Sequence, residues 1–123
     1  MNVETIRVYA NDVGVALKRF DEVKGDFQRF DRISATSDKM AVLRDAVDFV
    51  RRTLSRSSPP KEVADAHALL LTAAALAAAA LQQSIDPRVP AYMAINVRAS
   101  AASEALIMFE QGRRAIQAAM RSR

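Results

Sequence analysis

The chain is predicted to be all-α, an antiparallel up-down bundle of about four helices (approximately 3–33, 37–55, 59–85 and 91–120) that forms a single domain over 1–123. Three observations predict this. Apolar residues recur every three or four positions along four stretches, the spacing that places them on one helix face. Turn residues are few, with 3 Gly and 4 Pro in 123 residues, where an all-β fold would need many more. Alanine, the best helix former, contributes 24 residues, most of them after Ala64. A chain of this length that is 50% hydrophobic and 26% charged can bury a core without staples.

Segment one carries the lane Ile6, Ala10, Val13, Leu17, Phe20, Val23, Phe27, Phe30, with Asp12, Arg19, Glu22, Asp26 and Arg29 on the opposite face. Gly14 and Gly25 lie inside it, each costing about 1 kcal/mol relative to Ala, and Gly25 is where a bend or a close neighbour is expected. Segment two follows Ser34-Ala35-Thr36-Ser37. Ser37 or Thr36 is expected to cap it, with Asp38 at its positive end. Its lane is Met40, Leu43, Val47, Val50, Leu54, and Arg51, Arg52 and Arg56 close its last turn.

Segment three follows Pro59-Pro60, with Ser58 expected as N-cap and Pro59 as the first helical residue. Its apolar period disappears between Ala68 and Leu81, where nearly every position is apolar, so it is expected to be the most buried helix. The uncharged run Ala68–Ile85 has 18 residues, but its strongly apolar part has only 14, mostly alanine. It is therefore read as a buried helix, with no integral membrane segment. Segment four starts behind Asp86-Pro87-Arg88-Val89-Pro90. Its lane is Ile95, Ala99, Ala102, Leu106, Phe109, Arg113, Ile116, Met120, in which Arg113 is the single polar member; a long Arg stem near a helix end can lie along apolar surface.

Short links make consecutive helices antiparallel neighbours. Segments three and four offer small residues for contact (Ala66, Ala73, Ala77, Ala80; Ala99, Ala102, Ser103), so a close pair is expected there. Segments one and two lay their larger side chains against it. Segments one and four read longer than segment two. An overhang is expected to leave Phe27, Phe30 and Ile33, or Met93 and Ile95, short of neighbours unless a dimer covers them.

No catalytic, cofactor or metal site is expected. The chain has no cysteine and one histidine, His67. Thiol chemistry and cysteine metal sites are thereby excluded, and His67 is expected to be a packed residue with one hydrogen bond. Di-iron bundles need Glu-x-x-His on two helices, whereas Glu62 and His67 are five apart and Glu104 and Glu110 have no histidine nearby. There is no Gly-x-Ser-x-Gly elbow, Gly-x-Gly-x-x-Gly or Walker loop. The carboxylate pairs Asp45/Asp48 and Asp21/Glu22 fall on solvated faces, where they are poor acids at neutral pH.

The net charge of +4 combines 14 Arg and 4 Lys with 9 Asp and 5 Glu. Up-down topology gathers Arg51, Arg52, Arg56, Lys61, Arg113, Arg114 and Arg121 at one end, joined by Arg7 and Arg123. The other end is nearly balanced. That pole is a candidate anion-binding surface for nucleic acid or an acidic membrane, though cations at helix C-termini also suit the macrodipole. Leu69, Leu71 and Leu76 form a candidate association surface, because segment three has more apolar faces than four helices can cover. The leading expectation is a non-enzymatic bundle acting through protein–protein contact, as a homo-oligomer, foremost a homodimer. The anion-binding module comes next, then a small-ligand carrier with a pocket in the bundle. No apolar signal-peptide core occurs in Met1–Ala10, which contains Glu4 and Arg7, and a cytoplasmic location is expected. The excess of Arg over Lys with abundant Ala suggests a GC-rich coding genome, and the composition resembles that of bacterial helical proteins.

Overall fold

The computed structural model describes residues 3–30, 37–81 and 91–121. They form α1 (Val3–Gln28), α2 (Asp38–Arg56), a 3-10 turn (Lys61–Val63), α3 (Ala64–Ala80) and α4 (Ala91–Arg121). Among the described residues there is no strand. The helices form a ring in which α1 packs on α2, α2 on α3, α3 on α4, and α4 closes against α1. The α3–α4 interface is the most extensive. Neighbours run antiparallel: Tyr9 near the start of α1 and Leu54 near the end of α2 both reach His67, near the start of α3, and Arg98, early in α4, reaches Ala80 at the end of α3.

The periodic lanes become the core. Ile6, Val13, Phe20 and Phe27 of α1, Leu43, Val50 and Leu54 of α2, and Leu70 of α3 are almost completely buried. Each such side chain contributes roughly 1.5–3 kcal/mol by leaving water. Aromatic rings knit the centre. Phe20 meets Phe109 of α4 at 4.8 Å between centroids, and Phe27 edge-on at 5.3 Å. Phe27 and Phe30 are therefore not short of neighbours, contrary to the expected overhang; the Arg98 guanidinium also lies 5.8 Å from the Phe30 ring centroid. Met93 is exposed. Ile33 and the Ile95 side chain lie outside what the structure describes.

Ser37 caps α2 as expected, its Oγ accepting from the Met40 N–H at 3.2 Å. Ser57 closes the other end, its Oγ donating to the Thr53 carbonyl at 2.7 Å. The start of the third helix differs from expectation. Pro59 does not begin it and Ser58 does not cap it; the chain is non-helical through Pro60, which is extended (φ −60°, ψ 155°), and then makes the 3-10 turn before α3. The reason is local: a residue before proline is pushed out of the α region, and both Ser58 and Pro59 precede one. The link Asp86-Pro87-Arg88-Val89-Pro90 lies outside the described residues.

Two further expectations are corrected. Gly25 has no close neighbour and does not interrupt α1, which runs through it; the nearest atom to an added Cβ is Arg29 Nη2 at 4.0 Å. The glycine that matters is Gly112, on whose α-carbon an added Cβ would stand 2.7 Å from Leu70 Cδ2 and 3.2 Å from the Ala66 carbonyl oxygen. On α4 the buried lane is Ala102, Ala105, Phe109, Gly112 and Ile116, rotated from the expected one, while Ala99, Ser103 and Met120 are exposed. Ala66, Ala73, Ala77 and Ala80 of α3 are buried as expected.

The C-terminus of α3 is closed by other helices. The last carbonyls of a helix have no partner within it. Here Arg44 of α2 donates from Nε to the Leu81 carbonyl at 3.3 Å, and Arg98 of α4 donates from Nε to the Ala80 carbonyl at 3.0 Å. Two cations also suit the negative end of the helix dipole.

Candidate interaction surfaces

His67 occupies the inside of the bundle. It is 6% exposed, and its Nδ1 lies 2.6 Å from the Tyr9 hydroxyl. The Leu54 backbone supplies a second hydrogen bond. Tyr9 donates, Nδ1 accepts and the opposite ring N–H donates to the carbonyl, so the neutral imidazole is satisfied on both sides. Burial holds its pKa below the ordinary 6.5, against the Leu54 hydrogen bond, which acts in the other direction. Burial pushes the Tyr9 hydroxyl up to about 12. The pair ties α1, α2 and α3 together as packing chemistry. Among the described residues no three His, Asp or Glu side chains converge on a position that would hold a metal ion.

Much of the charge assigned to the arginine pole is paired with carboxylates. Arg52 meets Asp48 at 3.1 Å and Arg114 meets Glu110 at 3.2 Å. Arg7 lies 3.6 Å from Glu4. Arg113 is not an intruder in the core stripe; it stands at the α1–α4 edge, its Nη2 3.0 Å from each carboxylate oxygen of Asp21. Among the described residues Arg51, Arg56, Lys61 and Arg121 make no ion pair.

Leu69, Leu71 and Leu76 do not share one surface. Leu69 and Leu76 are seven residues apart, hence on one face, and both are half-buried, Leu76 against the core cluster. Leu71 is exposed and lies roughly 140° away from Leu76 around the helix. The apolar breadth of α3 is mostly alanine facing outward: Ala64, Ala68, Ala75 and Ala79 are exposed. By length and composition Lys61–Ala80 is apolar enough to cross a membrane (mean hydropathy 1.7), and 44% of that stretch is buried inside the bundle.

A continuous apolar stripe lies instead between α1 and α2, on their outer side. Val8 and Val15 are 53% and 62% exposed, and Val42 is 53% exposed. Val8 and Val15 are seven residues apart on α1; Val42 and Phe49 are seven apart on α2. A step of seven returns to within about 20° of the same direction. Val8, Val15 and Phe49 floor a hollow of about 630 Å³ rimmed by Glu4, Asp12, Thr53 and Arg56. Past Val15 and Phe49 it continues for about 620 Å³, beside Arg19, Glu22, Val23, Val42 and Ala46. The Arg19 guanidinium reaches across, 4.9 Å from the Phe49 ring centroid. The lanes expected for the first two helices omit Val8, Val15 and Val42, although seven-residue spacing relates Val8 to Val15 and Val42 to Phe49. On α4 the exposed large apolar residues are Met93, Val97, Ile107 and Met120; Met93 and Val97 are four apart and share a face, while Ile107 lies roughly 80° from Val97 around the helix.

No family model matches the chain, and no curated protein and no solved structure is significantly similar to it.

Proposed function

We propose that this protein is a non-enzymatic helical bundle that acts through protein–protein contact, foremost self-association. The observation that carries the reading is the outer α1–α2 side, where Val8, Val15, Val42 and Phe49 line two adjoining hollows that share Val15 and Phe49. Large side chains scattered singly over a surface need no explanation, whereas here exposed valines repeat at seven-residue spacing along the seam of two neighbouring helices. Helix faces with anchors at seven-residue spacing are how helical partners dock. The arginine pole gives the anion-binding reading less support, since four of its cations are engaged with carboxylates.

Light scattering with size separation tests self-association. At tens of micromolar the particle is expected to have twice the 13.5 kDa mass of the chain. Val15→Glu, at an exposed position, is expected to return it to a monomer without loss of helicity. A wild-type chain that stays monomeric throughout that range removes the reading.

A further inference from the structure

We propose that a hollow between α1 and α4 binds a free medium-chain aliphatic carboxylate, its tail lying past Gly14 and its head group at Lys18 and Arg113. Of the neighbouring helices around the ring, α1 and α4 touch least. Phe20 meets Phe109 at depth, and Asp21 holds Arg113 at the surface. Beside those contacts lies a hollow of about 330 Å³. Val13, Leu17 and Ile116 are buried and form its floor. Ala10 and the exposed Met120 stand at one end, Lys18, Asp21 and Arg113 at the other, with Gln117 between them. From Ala10 to Lys18 the helix rises roughly 12 Å, room for an extended tail.

Two observations select that ligand. The first is Gly14, in the wall of the hollow. Glycine is the least favourable residue in a helix interior after proline, and a positive φ or a crowded approach is what ordinarily requires it. Gly14 has neither. No described glycine has a positive φ, and an added Cβ at Gly14 would meet nothing within 4 Å. Its missing side chain leaves room for an outside molecule against the α1 backbone. Gly25, also without a close neighbour, borders neither this hollow nor the α1–α2 groove. The second observation is the charge of the lining. Asp21 is its one carboxylate, and Arg113 Nη2 already donates to both of its oxygens at 3.0 Å. Arg113 Nε and Nη1 make no hydrogen bond among the described residues. Lys18 also borders the α1–α2 groove beside Arg19 and Glu22, yet it makes no ion pair among the described residues. The lining therefore carries a surplus positive charge, with free donors at one end and hydrocarbon at the other. A carboxylate with an aliphatic tail matches both ends, and the unbranched Met120 side chain adapts to the tail. An ammonium with the same tail would meet Lys18 and Arg113 as like charges.

The test is a titration of the isotope-labelled full-length protein with octanoate at neutral pH, read by amide chemical shifts. Saturable shifts are expected at Val13, Gly14, Leu17, Ile116 and Gln117, and octylammonium at the same concentrations is expected to give none. Lys18→Gln is expected to weaken octanoate roughly two- to five-fold, the size of an exposed charge pair, and by more at low salt than at high. Gly14→Leu places a side chain in the hollow with no neighbour at its Cβ. It is expected to abolish saturation without lowering the melting temperature. No saturable shift up to millimolar octanoate overturns the site, as do shifts centred on Val8, Val42 and Phe49 instead. Equal binding of octylammonium overturns the head-group assignment, and this comparison, made on the unaltered chain, decides even where a variant melts lower. A Gly14→Leu protein that titrates like its parent overturns the path of the tail.

Discussion

Gly112 of α4 and Leu70 of α3 touch so closely that a single methyl group would not fit between them: its carbon would stand 2.7 Å from Leu70 Cδ2 and 2.8 Å from Cγ. Gly112→Ala gains about 1 kcal/mol of helix propensity but must push apart two helices at their most extensive interface. Overpacking of this kind costs about 1–3 kcal/mol. The Ala66 carbonyl behind Leu70, 3.2 Å from the added carbon, limits how far the side chain can retreat. A net loss of up to about 2 kcal/mol is expected by urea unfolding. Gly25→Ala, whose nearest neighbour is a mobile guanidinium at 4.0 Å, is expected to stabilise by about 0.5–1 kcal/mol. Equal responses at the two sites would contradict the packing described.

The Tyr9–His67 pair sets how stability responds to pH. The folded state holds the His67 pKa below the ordinary 6.5, so the unfolded chain binds the proton more readily. The contribution of His67 is therefore complete above about pH 6.5 and is lost as pH falls through the lower, folded pKa. Tyr9 works in the opposite direction. Its pKa is raised from 10.0 to about 12, so its contribution is complete below pH 10 and is lost as pH rises towards 12, on the order of 2–3 kcal/mol. Melting temperatures between pH 4 and 8 check the first limb, and His67→Gln should flatten it.

Tyr9→Phe removes the donor to Nδ1 and leaves a buried nitrogen without its partner. Such a loss costs about 1–3 kcal/mol. Chemical denaturation at pH 8, where His67 is neutral in both states, is the measurement. A change under about 0.5 kcal/mol would show that the 2.6 Å contact carries little weight.

Arg98→Ala is expected to destabilise by about 1–2 kcal/mol, since it removes both the hydrogen bond to the Ala80 carbonyl and the stack on Phe30. Arg51→Ala, an exposed cation with no ion pair among the described residues, should fall within about 0.5 kcal/mol of the parent. Thermal unfolding of the two variants side by side distinguishes a capping arginine from a solvated one.

The Asp21–Arg113 bridge joins α1 to α4 at the surface. A double-mutant cycle with Asp21→Asn and Arg113→Gln is expected to give a coupling of about 0.2–1 kcal/mol, reduced at high salt.

The bundle itself was legible in the residues because periodicity reports the axis along which water sorts side chains. Phe20, Leu43, Leu54 and Phe109 fell on their lanes, and Ser37 announced the start of α2. What stayed hidden depended on a neighbour. Gly112 and Gly25 look alike in a string of letters; only the approach of Leu70 separates them. The α4 lane was displaced because Arg113 happens to satisfy the three-and-four spacing, and its bond to Asp21 is visible only once α1 lies beside it. The groove was missed for a related cause. Val8 and Val15 sit among Asp12, Arg19 and Glu22, and the charged company hid an apolar register that α2 completes with Val42 and Phe49. The three leucines of α3 were grouped because that helix is apolar all round, yet Leu71 points roughly 140° away from Leu76.

The closure of α3 by Arg44 and Arg98 makes the end of that helix depend on its neighbours. Ala64–Ala80 has no side-chain cap of its own at either end, so in isolation it would fray from both. Its final turn is complete only when α2 and α4 have arrived on either side. The segment with the strongest intrinsic helix preference is thus the one whose boundary is drawn by its neighbours, and a peptide spanning it alone is expected to be shorter in helix than the same residues within the whole chain.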